Sequence, residues 1–299
     1  MDAREAADAA RKLLARQEAT EPERVAEALR SVWIQAVAPP EPGQKTMRDW
    51  GIDAPDYEAL GVPVPVLSSI GREVGRLGRN RVEEFLPVAC LLWNAYGREG
   101  RLVAAVGLGP MELAEPETVL PALYEMAQTC VFWEDCDQLA MKALEPILRK
   151  DPANWLERVG RWVSDENKWV IRAGLTAIGR LPMKEAAYAP RCVELVAPVL
   201  GHPDTDVKRA LSFALRLCAR GQVEPVKAFI LAQSGVTDAN SLWVLCDVVR
   251  SLWKPLLPQF ADLLPVYRDW RETGESAARR SVEGAIRLLE GAQHHGPAD

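Results

Sequence analysis

Arg101-Leu102-Val103-Ala104-Ala105 returns along the chain in altered form as Asp137-Gln138-Leu139-Ala140, Arg172-Ala173-Gly174-Leu175, Arg209-Ala210-Leu211-Ser212 and, more weakly, Asp247-Val248-Val249-Arg250. The first residues of these strings are 36, 35, 37 and 38 residues apart. Periods of this size belong to two-helix repeats of the HEAT type. One such pair cannot bury its apolar face alone and must stack on the next. In that arrangement the second helices line one surface side by side. The leading residues Arg101, Asp137, Arg172, Arg209 and Asp247 are then expected to form a row of guanidiniums interrupted by carboxylates.

Working outward, almost everything reads as helix. Residues 2–17 and 21–37 form two helical stretches, the second opening at Thr20-Glu21-Pro22 with proline in its first turn. A loop over residues 38–61 is long for a compact domain. Helical pairs follow, with expected breaks at Gly97, Gly109-Pro110, Asp151-Pro152, Pro182, Gly201-His202-Pro203 and Gly221. Alternating strand patterns are absent between them. The expected fold is all-α, a HEAT-like α-solenoid of stacked antiparallel helix pairs with a concave groove. We read residues 1–299 as one repeat domain. Its parts are N-terminal helices and loop (1–60), central repeats (61–234), and further C-terminal helices with a disordered tail (235–299).

Composition narrows the function classes. Of the 299 residues, 48% are apolar, enough for a sizeable core. No apolar run approaches membrane-spanning length, and the charged start Met1-Asp2-Ala3-Arg4-Glu5 does not read as an export signal. The six cysteines are scattered without a Cys-x-x-Cys pair, and two of the three histidines lie in the tail. Reduced thiols in a cytoplasmic protein are expected, with no metal site. The net charge of −6 argues against indiscriminate polyanion binding. Its distribution is uneven: residues 131–220 carry 14 Lys/Arg against 12 Asp/Glu, and the remainder 22 against 30.

Three segments carry candidate chemistry. In Phe132-Trp133-Glu134-Asp135-Cys136-Asp137, Trp133 and Asp137 share a helix face at i, i+4. The acids are ordinary in a first helical turn, where the helix dipole favours them. Alternatively, Asp137 faces the groove and stabilises positive charge on a substrate, with Trp133 presenting its ring to the same cation. In Asn167-Lys168-Trp169-Val170-Ile171-Arg172, either the tryptophan is core and the arginine solvated, or Arg172 meets a phosphate. In Lys208-Arg209-Ala210-Leu211-Ser212-Phe213-Ala214-Leu215-Arg216, a solvated helix with a core phenylalanine competes with a set of phosphate contacts and an aromatic wall.

Taken together, in this order and spacing, these segments resemble the DNA alkylation repair family of HEAT-repeat glycosylases, the AlkD-like group. The family's Trp-Trp-Asp-x-x-Asp pattern is similar to residues 132–137, and its Asn-x-Trp-x-x-Arg segment to residues 167–172. Its Lys-Ala-x-x-Trp-Ala-Leu-Arg helix is similar to residues 209–216. Gly61-Val62-Pro63-Val64-Pro65, Leu92-Trp93 and Arg98-Glu99-Gly100-Arg101 resemble upstream family segments. The likeness covers roughly residues 55–232. Phe132 and Phe213 depart from it, standing where the family has tryptophan, the better cation–π partner.

The resemblance implies hydrolysis of the N-glycosidic bond of cationic N3- or N7-alkylated purines in duplex DNA. Asp137 would be the catalytic carboxylate that stabilises an oxocarbenium-like sugar, and Trp133, Phe213 and Trp169 would contact the substrate. Arg101, Lys168, Arg172, Lys208, Arg209 and Arg216 would bind DNA. It implies no cofactor and no metal, and a monomer acting on double-stranded DNA with no membrane partner is expected. The alternative is a HEAT-repeat scaffold that binds DNA or protein without catalysis.

Overall fold

A computed structural model describes residues 1–15, 21–37 and 57–294, and among these no residue is in a strand. The helices are α1 (Ala3–Leu14), α2 (Pro22–Ile34), α3 (Val64–Gly78), α4 (Val82–Ala95), α5 (Gly97–Ala114), α6 (Pro116–Gln128), α7 (Trp133–Leu139) and α8 (Glu145–Lys150). They continue as α9 (Pro152–Gly160), α10 (Lys168–Arg180), α11 (Ala189–Val196), α12 (Thr205–Gly221), α13 (Val223–Ala232), α14 (Ala239–Arg250), α15 (Leu264–Thr273) and α16 (Arg279–His294). The fold is all-α, as the repeat period leads one to expect. Residues 38–56, most of the long loop, and the tail residues 295–299 lie outside the described residues.

Two compact units account for the chain, residues 1–150 and 151–299. In the first, α1, α3 and α5 pack in succession as one layer, and α2, α4 and α6 as the other. In the second, α10, α12, α14 and α16 follow one another in the same way, with α11 and α13 in the second layer. Within each unit this is the nearest-neighbour packing of stacked helix pairs.

The sequence period reappears as the separation between bonded side chains. Trp93 Nε1 donates to Thr129 Oγ1, Arg98 to Glu134 and Trp270 Nε1 to the Ser234 carbonyl, each across 36 residues. Ser212 Oγ donates to Asp247 across 35, and Arg172 to the Asp206 carbonyl across 34. One repeat therefore grips the next at nearly equivalent positions.

Three details depart from the expected elements. Gly109-Pro110 does not break α5, which runs on to Ala114. A Cβ at Gly109 would lie 2.2 Å from the Lys142 carbonyl oxygen, so this glycine serves a close helix approach. Leu102, Val103, Ala104, Ala105 and Leu108 are all buried, and packing on that scale outweighs the lost hydrogen bond of one proline, about 3 kcal/mol. Second, α7 runs into a π-helical turn, Ala140–Leu144, before α8. Third, among the further C-terminal helices expected over 235–299, one stretch is a 3-10 segment, Lys254–Leu263, followed by α15. Pro255 and Pro258 remove α-helical donors there.

Candidate nucleic-acid interface and catalytic helix

Helix α7 has only seven residues, and its N-cap, Phe132, is extended and makes no side-chain cap. A helix this short is not stable alone, so side-chain contacts must hold it. Both of its first acids turn inward to α5. Glu134 takes a two-pronged bond from Arg98, Nε to Oε2 at 2.8 Å and Nη2 to Oε1 at 3.0 Å. Asp135 accepts from Arg101 Nη1 at 2.7 Å and from the Tyr57 hydroxyl. The Arg101 guanidinium lies between two rings, 5.1 Å from Tyr57 and 5.0 Å from Trp93, and its Nε reaches the Trp93 carbonyl at 3.3 Å. Burial pushes the Asp135 carboxyl above its ordinary range, and the charge of Arg101 and the Tyr57 hydroxyl offset this only in part.

The chain segment leading into α3 is fastened to the same place. Glu99, fully buried, accepts from the backbone N–H groups of Leu60, Gly61 and Val62. The Arg98 N–H donates to the Glu58 carbonyl at 2.9 Å. Gly97 has φ +54, and a Cβ there would lie 2.1 Å from the Glu58 oxygen, so only glycine lets this segment seat.

With Glu134 and Asp135 committed inward, Trp133 is left 45% exposed and Asp137 half-buried. The Trp133 ring leans on Phe132, centroids 4.9 Å apart. The i, i+4 pair singled out in the sequence thus joins an exposed indole and a half-buried carboxylate.

In the second unit, Asn167 caps α10 by accepting from the Trp169 N–H at 2.9 Å. Lys168 lies 4.5 Å from the Trp169 ring centroid and is paired with Asp206 at 3.1 Å and Asp204 at 3.3 Å. Partial burial lowers its pKa, but hydrogen bonding and charge from Asp206 and Asp204 outweigh this and leave it raised. Arg172 is 8% exposed and donates to the Asp206 carbonyl at 3.0 Å. On α12, Lys208 donates to Asn240 at 2.9 Å, Arg209 is exposed, and Phe213 is half-buried with the Arg216 guanidinium 5.5 Å from its ring.

A family model described as DNA alkylation repair enzyme matches residues 41–242. The chain belongs to the DNA alkylation repair enzyme family. No curated protein matches it. The family match spans α7, α10 and α12, and family membership supports a role in the repair of alkylated DNA, hence a DNA substrate. Among the described residues, no helix is long and apolar enough to cross a membrane, and no cluster of three His, Cys, Asp or Glu could hold a metal ion.

Set against the residues expected to bind DNA in this family member, the positions divide. On α12, Arg209 is exposed, whereas Lys208 and Arg216 are half-buried and hydrogen-bonded to Asn240 and to the Ser212 and Ser251 carbonyls. Arg101 and Arg172 are buried and engaged inside the protein, and Lys168 is held by two carboxylates. Sequence reading missed Tyr57, Arg98, Glu99, Glu134 and Asp135 as a connected group. A usable signal was present: Arg98 and Arg101 precede Glu134 and Asp135 by 36 and 34 residues, the repeat period itself.

Proposed function

We propose that this protein is a DNA glycosylase that releases cationic N3- or N7-alkylated purines, with Asp137 as the electrostatic catalyst. The observation that carries the reading is the start of α7, where an exposed tryptophan, Trp133, and a half-buried carboxylate, Asp137, stand one turn apart on one face. An alkylated purine already carries positive charge and leaves as a neutral base when its bond to C1′ breaks. The deoxyribose then bears oxocarbenium-like charge. A fixed carboxylate stabilises that charge more than it stabilises the ground state, which is what lowers a barrier. Water adds at C1′ and gives up a proton, so no strong general acid is required. Trp133 offers its ring face to the cationic base, and Lys208, Arg209 and Arg216 supply phosphate contacts.

The test compares wild type with Asp137→Asn on methylated duplex DNA. Release of methylated purine should fall on the order of a hundredfold or more, with duplex affinity retained. Full activity in the variant would sink the assignment. The engagement of Arg101 and Arg172 inside the protein leaves fewer guanidiniums for phosphates and favours a second reading, a repeat scaffold that binds DNA or protein without catalysis. Binding of methylated duplex with no base release by wild-type protein would select it.

A further inference from the structure

Trp253 is the most exposed large apolar side chain among the described residues, at 56%. It follows α14 and lies past residue 242, where the family match ends. The Arg220 guanidinium lies 5.4 Å from its ring centroid. Arg220 stands near the end of α12, and Arg216, Phe213 and Arg209 precede it at steps of four, three and four residues. Those steps return to one side of a helix. The opposite side is core, formed by Val207, Ala210, Leu211, Ala214, Leu215 and Cys218.

No salt bridge closes on this row among the described residues, and the one carboxylate whose charge reaches it is Asp247, near Arg216. Neither Arg209 nor Arg220, both exposed, has a salt-bridge partner among the described residues. Arg216 gives Nε to the Ser212 carbonyl at 3.3 Å and Nη1 to the Ser251 carbonyl at 3.1 Å, which orients it without neutralising it. Of the nearby acids, Asp206 pairs with Lys168 and Glu224 lies beside Lys227, while Asp247 accepts from the hydroxyls of Ser212 and Ser251 and acts on Arg216 by its charge alone. Helix α12 carries Lys208, Arg209, Arg216 and Arg220 against Asp206 alone, in a chain of net charge −6.

We propose that Arg220 and Trp253 extend the DNA-binding face of α12, so that Arg209, Arg216 and Arg220 track the phosphates of one strand and the Trp253 indole packs on a sugar or base at the end of the run. From Arg209 to Arg220 the helix rises about 16 Å, enough to meet several phosphates spaced about 3.4 Å apart along the duplex axis. A row of guanidiniums on which no salt bridge closes fits a polyanion, and an exposed indole beside them suits the stacking used on nucleic-acid strands. The inference rests on the DNA-binding part of the function proposed above and is independent of Asp137.

The experiment measures the affinity of undamaged duplex oligonucleotide for wild type, Arg220→Gln, Trp253→Ala and the double variant over a salt series. Both residues are exposed, and a thermal melt checks that the variants fold. Arg220→Gln should make the slope of log affinity against log salt shallower by about one. Trp253→Ala should weaken binding about fivefold or more at fixed salt and leave the slope unchanged. If wild type binds and both variants match it in affinity and slope, the proposal is overturned while the glycosylase reading stands. If wild type does not bind duplex at all, both readings fall. If Trp253→Ala changes the sedimenting mass of the protein and leaves DNA affinity untouched, the face belongs to a protein contact and the proposal is wrong.

Discussion

Glu112 lies inside α5 with none of its surface exposed, and neither carboxyl oxygen has a hydrogen-bond partner among the described residues. Desolvation pushes its pKa up to about 9 from an ordinary 4.5. A raised acid pKa means that the folded state keeps a proton that the unfolded chain has released. Stability from this group is complete below about 4.5, falls as pH rises, and is lost once pH passes about 9. Glu112→Gln mimics the protonated side chain. Its melting temperature should match wild type near about pH 5 and exceed it by several degrees near about pH 9. Parallel pH profiles for the two proteins would show that Glu112 does not titrate in this way. The sequence alone marks Glu112 as one acid among many, because burial of a single helix position depends on what packs against all sides of α5.

At the scale of the element, α7 is a short helix held by its neighbours, and its orientation depends on a buried pair. Arg101 and Asp135 are 8% and 3% exposed. Removing one partner strands the other charge in the interior, which costs about 3–5 kcal/mol, whereas removing both leaves no uncompensated charge. In a double-mutant cycle of Arg101→Met and Asp135→Leu, the double variant should therefore be more stable than the sum of the single losses predicts, by more than about 1 kcal/mol. Simple additivity in urea unfolding would deny the coupling. Gly97→Ala tests the other fastening. It forces an L residue to φ +54 against the Glu58 carbonyl and should cost at least about 1–2 kcal/mol. It should also slow base release if seating of this segment fixes α7. Unchanged stability would contradict the geometry. The helix itself, with Trp133 and Asp137 on one face, was legible from spacing. Which of its acids turn inward was not, since that depends on Arg98, Arg101 and Tyr57 arriving from other elements.

For the whole molecule, the 35–38-residue recurrence was enough to read an all-helical stack, because repeat register is written into local sequence. Pro110 and the π turn at Ala140–Leu144 escaped that reading, as both depend on how tightly α5 meets its neighbours. The cysteines give a test of this packing throughout the chain. None of the six is in a disulfide, five are buried, and Cys90 is half-buried. Burial raises the thiol pKa of Cys90, and pushes those of Cys192 and Cys246 up to about 12. A thiolate is the reactive form, so shielded thiols with raised pKa values react slowly. With a thiol-specific chromogenic reagent at mildly alkaline pH, the native protein should show at most one slow equivalent, that of Cys90. Denaturant should release all six, and Cys90→Ser should remove the native reaction. Rapid labelling of two or more thiols without denaturant would show that the helix stack opens on the timescale of the reaction, against the closed packing of these positions.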